Sequence, residues 1–253
     1  MYKKRRKIYF SCSLSESFMK TSNKVILALR NELNVRYKPM HTSKEIKTWY
    51  QKIIKNSKVK IKIIPLNECK NWKINKKGQI LHKSGSFYKV EGVRVIKSFN
   101  REIEDGWDQP MFTEPGFDGG ILGLLRKKIN NTPHYLVNAK FEPGNYNFIQ
   151  LSPTVQATFS NIKKAHGGKT VKFLNFFKSP SKNKCKIIFK QWVSEEGGRL
   201  RNKRNLGIIL EYTGKKEISI RSDYKWLTLR QIKELILENA MINPHLRTLV
   251  SFI

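Results

Sequence analysis

Apolar and polar positions alternate with a period of two through the middle and last third of the chain, the pattern of half-buried strands. From His134 to Glu142 the alternation sets Tyr135, Val137, Ala139 and Phe141 on an expected core face. Asn138, Lys140 and Glu142 fall together on the other. After Pro153 the pattern resumes, with Val155, Ala157 and Phe159 opposite Thr154, Gln156, Thr158 and Ser160. Val59, Ile61 and Ile63 alternate with lysine and predict a half-buried strand that Pro65 ends. Strand patterns also occupy 80–81, 87–95, 121–125, 187–193 and 207–212, with Gly78, Gly85 and Gly92 as hairpin punctuation. Two helices carry their own start signals. Thr42-x-x-Glu45 has capping-box form and precedes Ile46, Trp49, Tyr50, Ile53 and Ile54 at helical spacing. Thr228-x-x-Gln231 precedes a stripe of Ile232, Leu235 and Ile236 that is expected to end the chain. Residues 1–42 read as a basic, weakly patterned N-terminal extension with a short helix around Asn23 to Leu33, and 43–253 as one domain. Many strands with few flanking helices predict a mixed α+β fold.

Composition narrows the class. A hydrophobic share of 39%, with 14 Phe, 9 Tyr and 5 Trp, is ample for a packed core and excludes wholesale disorder. The formal net charge of +31 points towards polyanions. The lysines, however, are scattered, and only Lys3 to Lys7 form a tight run of the kind found in solvated tails. That scatter argues against nucleic acid as the main partner. Cys12, Cys69 and Cys185 are odd in number and widely spaced, as expected in a reducing compartment without structural zinc. Ser11, Ser13, Ser15 and Glu16 interrupt any apolar leader, and no run of 18 apolar residues occurs. A soluble cytoplasmic protein without a membrane partner is expected.

One window breaks the basic background. Fifty of 253 residues are Lys or Arg, yet none lies between Phe141 and Ile162, where about four would be expected at that density. The window is rich in uncharged hydrogen-bonding groups, which serve either as a ladder within a sheet or as a face that orients a polar ligand. Gln150, Ser152, Thr154, Gln156 and Thr158 are its core, and Glu142-Pro143-Gly144-Asn145 puts an acid at a strand end before a turn. His166-Gly167-Gly168 is either a closing loop or an ordinary one. Ser194-Glu195-Glu196-Gly197 is followed by Arg199, Lys203, Arg204 and Asn205, a group able to hold a diphosphate because Arg binds phosphate oxygens bidentately. Phosphate-loop, dinucleotide, zinc-ligand and serine-elbow spacings do not occur.

Taken together these segments resemble the NDP-hexose 2,3-dehydratase family. The resemblance is carried by Trp72 to Val95, Gly106 to Pro110, Gly119 to Leu125, Ala139 to Asn145, Gln150 to Asn161, Ser194 to Gly197, Lys203 to Asn205 and Trp226 to Ile232, in the family's order. E-P-G-N followed by Q-L-S-P-T-V-Q-A-T is its most specific part. Val193, Glu196 and Gly207 depart from the family pattern, which commonly has Gln, Gln and Asn there.

The resemblance implies a Nudix-like mixed sheet flanked by helices, in one repeat where the family usually has two. A homodimer supplying the second half is expected accordingly. It also implies conversion of an NDP-4-keto-6-deoxyhexose, dTDP-linked, to the NDP-3,4-diketo-2,6-dideoxyhexose. The C4 ketone acidifies the C3 proton, a base removes it, and the C2 hydroxyl leaves β to the carbonyl. That chemistry calls for no redox cofactor and no metal. Glu142 and His166, with Glu195 in reserve, are the expected proton-transfer groups. Asn145, Gln150, Ser152, Thr154, Gln156, Thr158 and Asn161 would bind the hexose, and Lys140, Arg199 and Arg204 the diphosphate. The competing class is a binding protein, either an inactive NDP-sugar-binding relative or a basic nucleic-acid-binding protein.

Overall fold

The computed structural model describes residues 16–100, 102–114, 118–165 and 167–253. Its larger sheet has the order β11-β6-β5-β10-β9, formed by β5 (Asp118–Ile129), β6 (Thr132–Phe141), β9 (Cys185–Ser194), β10 (Arg204–Tyr212) and β11 (Tyr224–Leu227). Short strands β7 (Ile149–Ser152) and β8 (Val155–Thr158) pair with β6 and β5 respectively. The β5–β10 pairing is parallel and the others are antiparallel, so the sheet is mixed. The β5–β6 hairpin turns through Asn130 and Asn131, both at positive φ. That is the backbone a tight two-residue turn requires, and Asn tolerates it.

Both faces of the sheet are covered, which is why β5 and β10 carry the apolar runs at 121–125 and 206–210. One face meets α1 (Glu16–Arg30), α2 (Ser43–Lys55), α5 (Leu229–Ile236) and α6 (Pro244–Ser251). Leu29, Ile46, Ile232, Leu246 and Leu249 pack there against Leu122, Leu124, Tyr135 and Val137. The other face meets α4 (Leu174–Lys178), where Phe173, Leu174 and Phe177 cover Ile121, Leu125, Leu136, Val155 and Ala157. Gly123 admits the Phe177 ring, which a Cβ would meet at 2.5 Å. Capping boxes at Thr42 and Thr228 start α2 and α5 as the sequence predicts. Residues ahead of 43 also reach the core: Leu29 is buried, and Glu32 bonds the buried Arg126 guanidinium and the Tyr135 hydroxyl.

The sheet forks at its centre. β5 and β6 pair only from Leu125 opposite Leu136 to Ile129 opposite Thr132. Beyond that point β5 turns to β8 and β6 to β7. Thr154, in the link between β7 and β8, sits in the crotch. Its hydroxyl accepts from the Leu125 amide at 2.9 Å and donates to the Leu136 carbonyl at 2.5 Å, taking the place of a ladder bond. Gly120 lets β8 close onto β5, since a Cβ there would lie 2.1 Å from the Ala157 carbonyl.

A second sheet has four antiparallel strands, β1 (Trp72–Ile74), β2 (Ile80–His82), β3 (Lys89–Val95) and β4 (Trp107–Thr113). The 195–203 connection clips it to the larger sheet. Phe112 donates to the Arg199 carbonyl and Arg201 donates to the Phe112 carbonyl, both at 2.8 Å. Lys203 pairs with Glu114 at 3.0 Å.

The fold is α+β, as the pattern predicts. Several details differ from it. Phe159 and Ser160, read as continuing the strand alternation, begin α3 (Phe159–Ile162), and Gly92 lies inside β3 rather than in a turn. Val59, Ile61 and Ile63 form no strand; among the described residues no strand pairs with them, and Ile63 is 95% exposed. Phe141 is not in the core, because β6 leaves the sheet centre there and its ring is exposed. The chain ends not in α5 but in α6, whose short stripe of Leu246, Leu249 and Val250 is all buried. Among the described residues no helix is long and apolar enough to cross a membrane. Cys69 and Cys185 are unpaired thiols, and Cys12 and the Lys3 to Lys7 run lie outside the described residues.

Candidate functional site

The mouth of the fork opens into a cleft of about 240 Å³ lined with polar side chains. β6 carries Lys140 and, just past its end, Glu142. β8 contributes Gln156 and Thr158, and α3 (Phe159–Ile162) adds Asn161. The β9–β10 connection supplies Glu195, Leu200 and Lys203, β10 supplies Asn205, and α6 supplies His245 from its first turn.

Two hydrogen-bonded groups face each other across it. In the first, Lys140 Nζ lies 2.5 Å from Glu142 Oε1, and Gln156 Nε2 donates to both Glu142 oxygens at 3.0 and 3.1 Å. Asn243, the N-cap of α6, accepts the Leu246 amide at 2.9 Å and donates to Gln156 Oε1 at 2.8 Å. In the second, Asn205 Nδ2 donates to Glu195 Oε1, and His245 Nε2 stands 3.2 Å from the same oxygen. Burial holds the His245 imidazole below its ordinary pKa. Glu195 and Glu142 pull it back upward, while Lys140 and Lys203 push it further down. The ring therefore favours the neutral form, with acceptor capacity at neutral pH.

Six of the sequence-predicted residues converge on this cleft: Lys140, Glu142, Gln156, Thr158, Asn161 and Glu195. Others hold its frame. Asn145 bonds the carbonyls of Lys140 and Phe148 at 3.3 Å and so closes the turn after Glu142. Gln150 donates to the Ala240 carbonyl at 2.6 Å, Ser152 to the Asn138 carbonyl at 3.2 Å, and Thr154 bridges the fork. The two arginines point elsewhere. Arg199 is 83% exposed and 3.9 Å from Glu196, and Arg204 stacks on Trp192 with its guanidinium carbon 4.3 Å from the ring centroid. Alternation along β10 sets Arg204 on the opposite face from Asn205. His166 lies outside the described residues.

Lys203 and Asn205, from the group read as able to hold a diphosphate, also line the cleft, and His245 and Leu200 complete it without having been singled out in the sequence. The sequence did carry one signal for His245: Asn243-Pro244 has the form of an N-cap followed by Pro at the first helical position. Two glycines are explained as well. A Cβ on Gly119 would meet Asn205 Oδ1 at 2.5 Å, and one on Gly207 would press on Leu249 of α6 at 3.2 Å. Among the described residues no group of three or more His, Cys, Asp or Glu is placed to hold a metal ion.

The sequence profile of the NDP-hexose 2,3-dehydratase family matches residues 43–253. The chain belongs to that family. It is 40% identical over 178 residues to the dTDP-4-dehydro-6-deoxy-alpha-D-glucopyranose 2,3-dehydratase of Amycolatopsis orientalis, covering 69% of this chain and 36% of that protein. It is 36% identical over 190 residues to the enzyme of the same name from Streptomyces violaceoruber, covering 74% and 41% respectively. The family member described here thus spans about two-fifths of the length of these relatives. A looser likeness is to the crystal structure of an Ap4A hydrolase from C. elegans, at 12% identity and a TM-score of 0.32, covering 53% of this chain and 98% of that one. The α+β class rests on the strand pairing itself.

Proposed function

We propose that this chain is an NDP-4-keto-6-deoxyhexose 2,3-dehydratase, acting on a dTDP-linked sugar and working as a homodimer in the cytoplasm. The observation that carries the reading is the convergence of the family's own polar motifs on one cleft. Glu142 of E-P-G-N, Gln156 and Thr158 of Q-L-S-P-T-V-Q-A-T, and Glu195 of S-E-E-G meet there, although more than 50 residues separate the first from the last.

The arrangement suits elimination next to a ketone. Carboxylates and an imidazole supply proton-transfer groups, and Lys140 supplies a cation for the negative charge that develops on O4 of the enolate. Gln156, Thr158 and Asn161 offer uncharged donors and acceptors to the hexose hydroxyls. Loss of the C3 proton and the C2 hydroxyl leaves a C2–C3 enol, which takes one proton at C2 as it ketonises.

The test follows that proton. In D₂O, with a 3-ketoreductase present to trap the diketone, the product is expected to carry one deuterium at C2. Epimerisation at C3 keeps the C2 oxygen and labels C3, whereas diphosphate hydrolysis releases a nucleoside monophosphate with no carbon-bound deuterium. A product that retains the C2 hydroxyl rules out the dehydratase.

A further inference from the structure

We propose that His245 is the residue that takes the C3 proton, with Glu195 and Asn205 as positioning residues that hold its ring. The inference rests on the dehydratase reading above and assigns a catalytic role to a residue outside the motifs that carry the family resemblance.

Four observations support it. The ring lines the cleft and its side chain is 25% exposed, so a ligand can reach it. Nε2 faces the Glu195 carboxylate at 3.2 Å, a partner that only accepts, so the proton of the neutral ring belongs on Nε2. Nδ1 is then the acceptor, and among the described residues nothing hydrogen-bonds it. The rival carboxylates are more heavily engaged. Glu142 already receives Lys140 and Gln156, while Glu195 Oε1 receives Asn205 and lies 3.2 Å from His245 Nε2. Finally, the start of α6 is anchored twice. Its N-cap Asn243 is tied to Gln156, and Leu151 of β7 bonds Met241 and Asn243 through backbone groups at 2.9 Å. A base carried on so fixed a helix end loses little orientational freedom when it acts.

The step balances with no co-reactant. The C3–H electron pair becomes the C3–C4 double bond of an enolate, with charge on O4 and the proton on Nδ1. The enolate collapses to the ketone, forms the C2–C3 double bond and expels the C2 oxygen. The imidazolium returns its proton to that oxygen, which leaves as water.

The experiment compares wild type, His245→Gln and Glu195→Gln. Replacing His245 should lower kcat by about 10² to 10⁴ while the Kd for a dTDP-sugar stays within about threefold. The wild-type kcat/KM should fall on the acid side as His245 protonates. In Glu195→Gln that acid limb should move to lower pH, because the carboxylate that favours the imidazolium is gone while Lys140 and Lys203 remain, with only Glu142 opposing them. Nitrogen-15 NMR of histidine-labelled protein near pH 7.5, assigned through His245→Gln or His245→Asn, should show the Nε2-protonated neutral ring. Normal turnover in His245→Gln, or an Nδ1-protonated ring, overturns the proposal and leaves the dehydratase standing. Wild type that turns over no 4-keto sugar removes both.

Discussion

Asn243 Nδ2 donates to Gln156 Oε1 at 2.8 Å, and this contact fixes which way the Gln156 amide points. With Oε1 committed to the α6 N-cap, Nε2 is left to face Glu142, where it meets both carboxylate oxygens. One cap residue therefore coordinates two jobs. It starts the helix that carries His245, and it orients the amide that steadies Glu142 on the opposite wall.

If Glu142 takes part in proton transfer or in steadying Lys140, its carboxylate charge matters more than its shape. Glu142→Gln is expected to lower turnover by about 10² or more with ligand affinity nearly intact. Steady-state kinetics with a titration of dTDP-sugar binding measures both. Near-normal turnover removes Glu142 from the mechanism.

Thr154 tests the fork separately from chemistry. Thr154→Val keeps the shape but strands the Leu125 amide and the Leu136 carbonyl, both buried, at a cost of about 2 to 4 kcal/mol. Thr154→Ser keeps the hydroxyl and should stay within about 1 kcal/mol of wild type. Denaturant melts of the two variants should therefore separate clearly, and equal losses would show that the bridging hydroxyl is not what holds the crotch.

Stability should depend on pH through His134. Its Nδ1 faces the Thr132 carbonyl at 2.9 Å and its Nε2 accepts the Met40 amide at 3.0 Å, so the buried ring is neutral and uses both nitrogens. Burial lowers its pKa from the ordinary 6.5. The unfolded chain then binds the proton more readily than the folded one. Its contribution is complete above about pH 6.5 and is lost as pH falls from there through the folded pKa. His245 and His41 shift the same way, also chiefly through burial. The melting temperature is expected to drop between pH 7.5 and 5, with a shallower slope in His134→Asn. An unchanged slope in that variant would exclude His134 as a source.

The homodimer is tested by mass in solution. Light scattering at micromolar concentration should return twice the mass of the chain, in keeping with an interface that buries more than about 1,000 Å². A monomer at that concentration counts against a shared assembly.

Local pattern determined much of this protein. The two capping boxes, the alternation in β6 and β8 and the lysine-free window are all legible because strand and helix periods and cap chemistry act over a few residues. The same alternation misled at Val59 to Ile63, where a strand pattern lacks a strand to pair with, and at Phe141, where β6 has left the core. Within the lysine-free window, sequence could not separate Thr154, which bridges two backbones, from Gln156, which faces the cleft, because both lie on the polar side of one alternation. The fork separates them, since its geometry buries one and opens the other. His245 was beyond reach for a related reason. Its place beside Glu195 depends on α6 docking across the sheet, and long-range packing of that kind leaves no periodic trace in the residues around it.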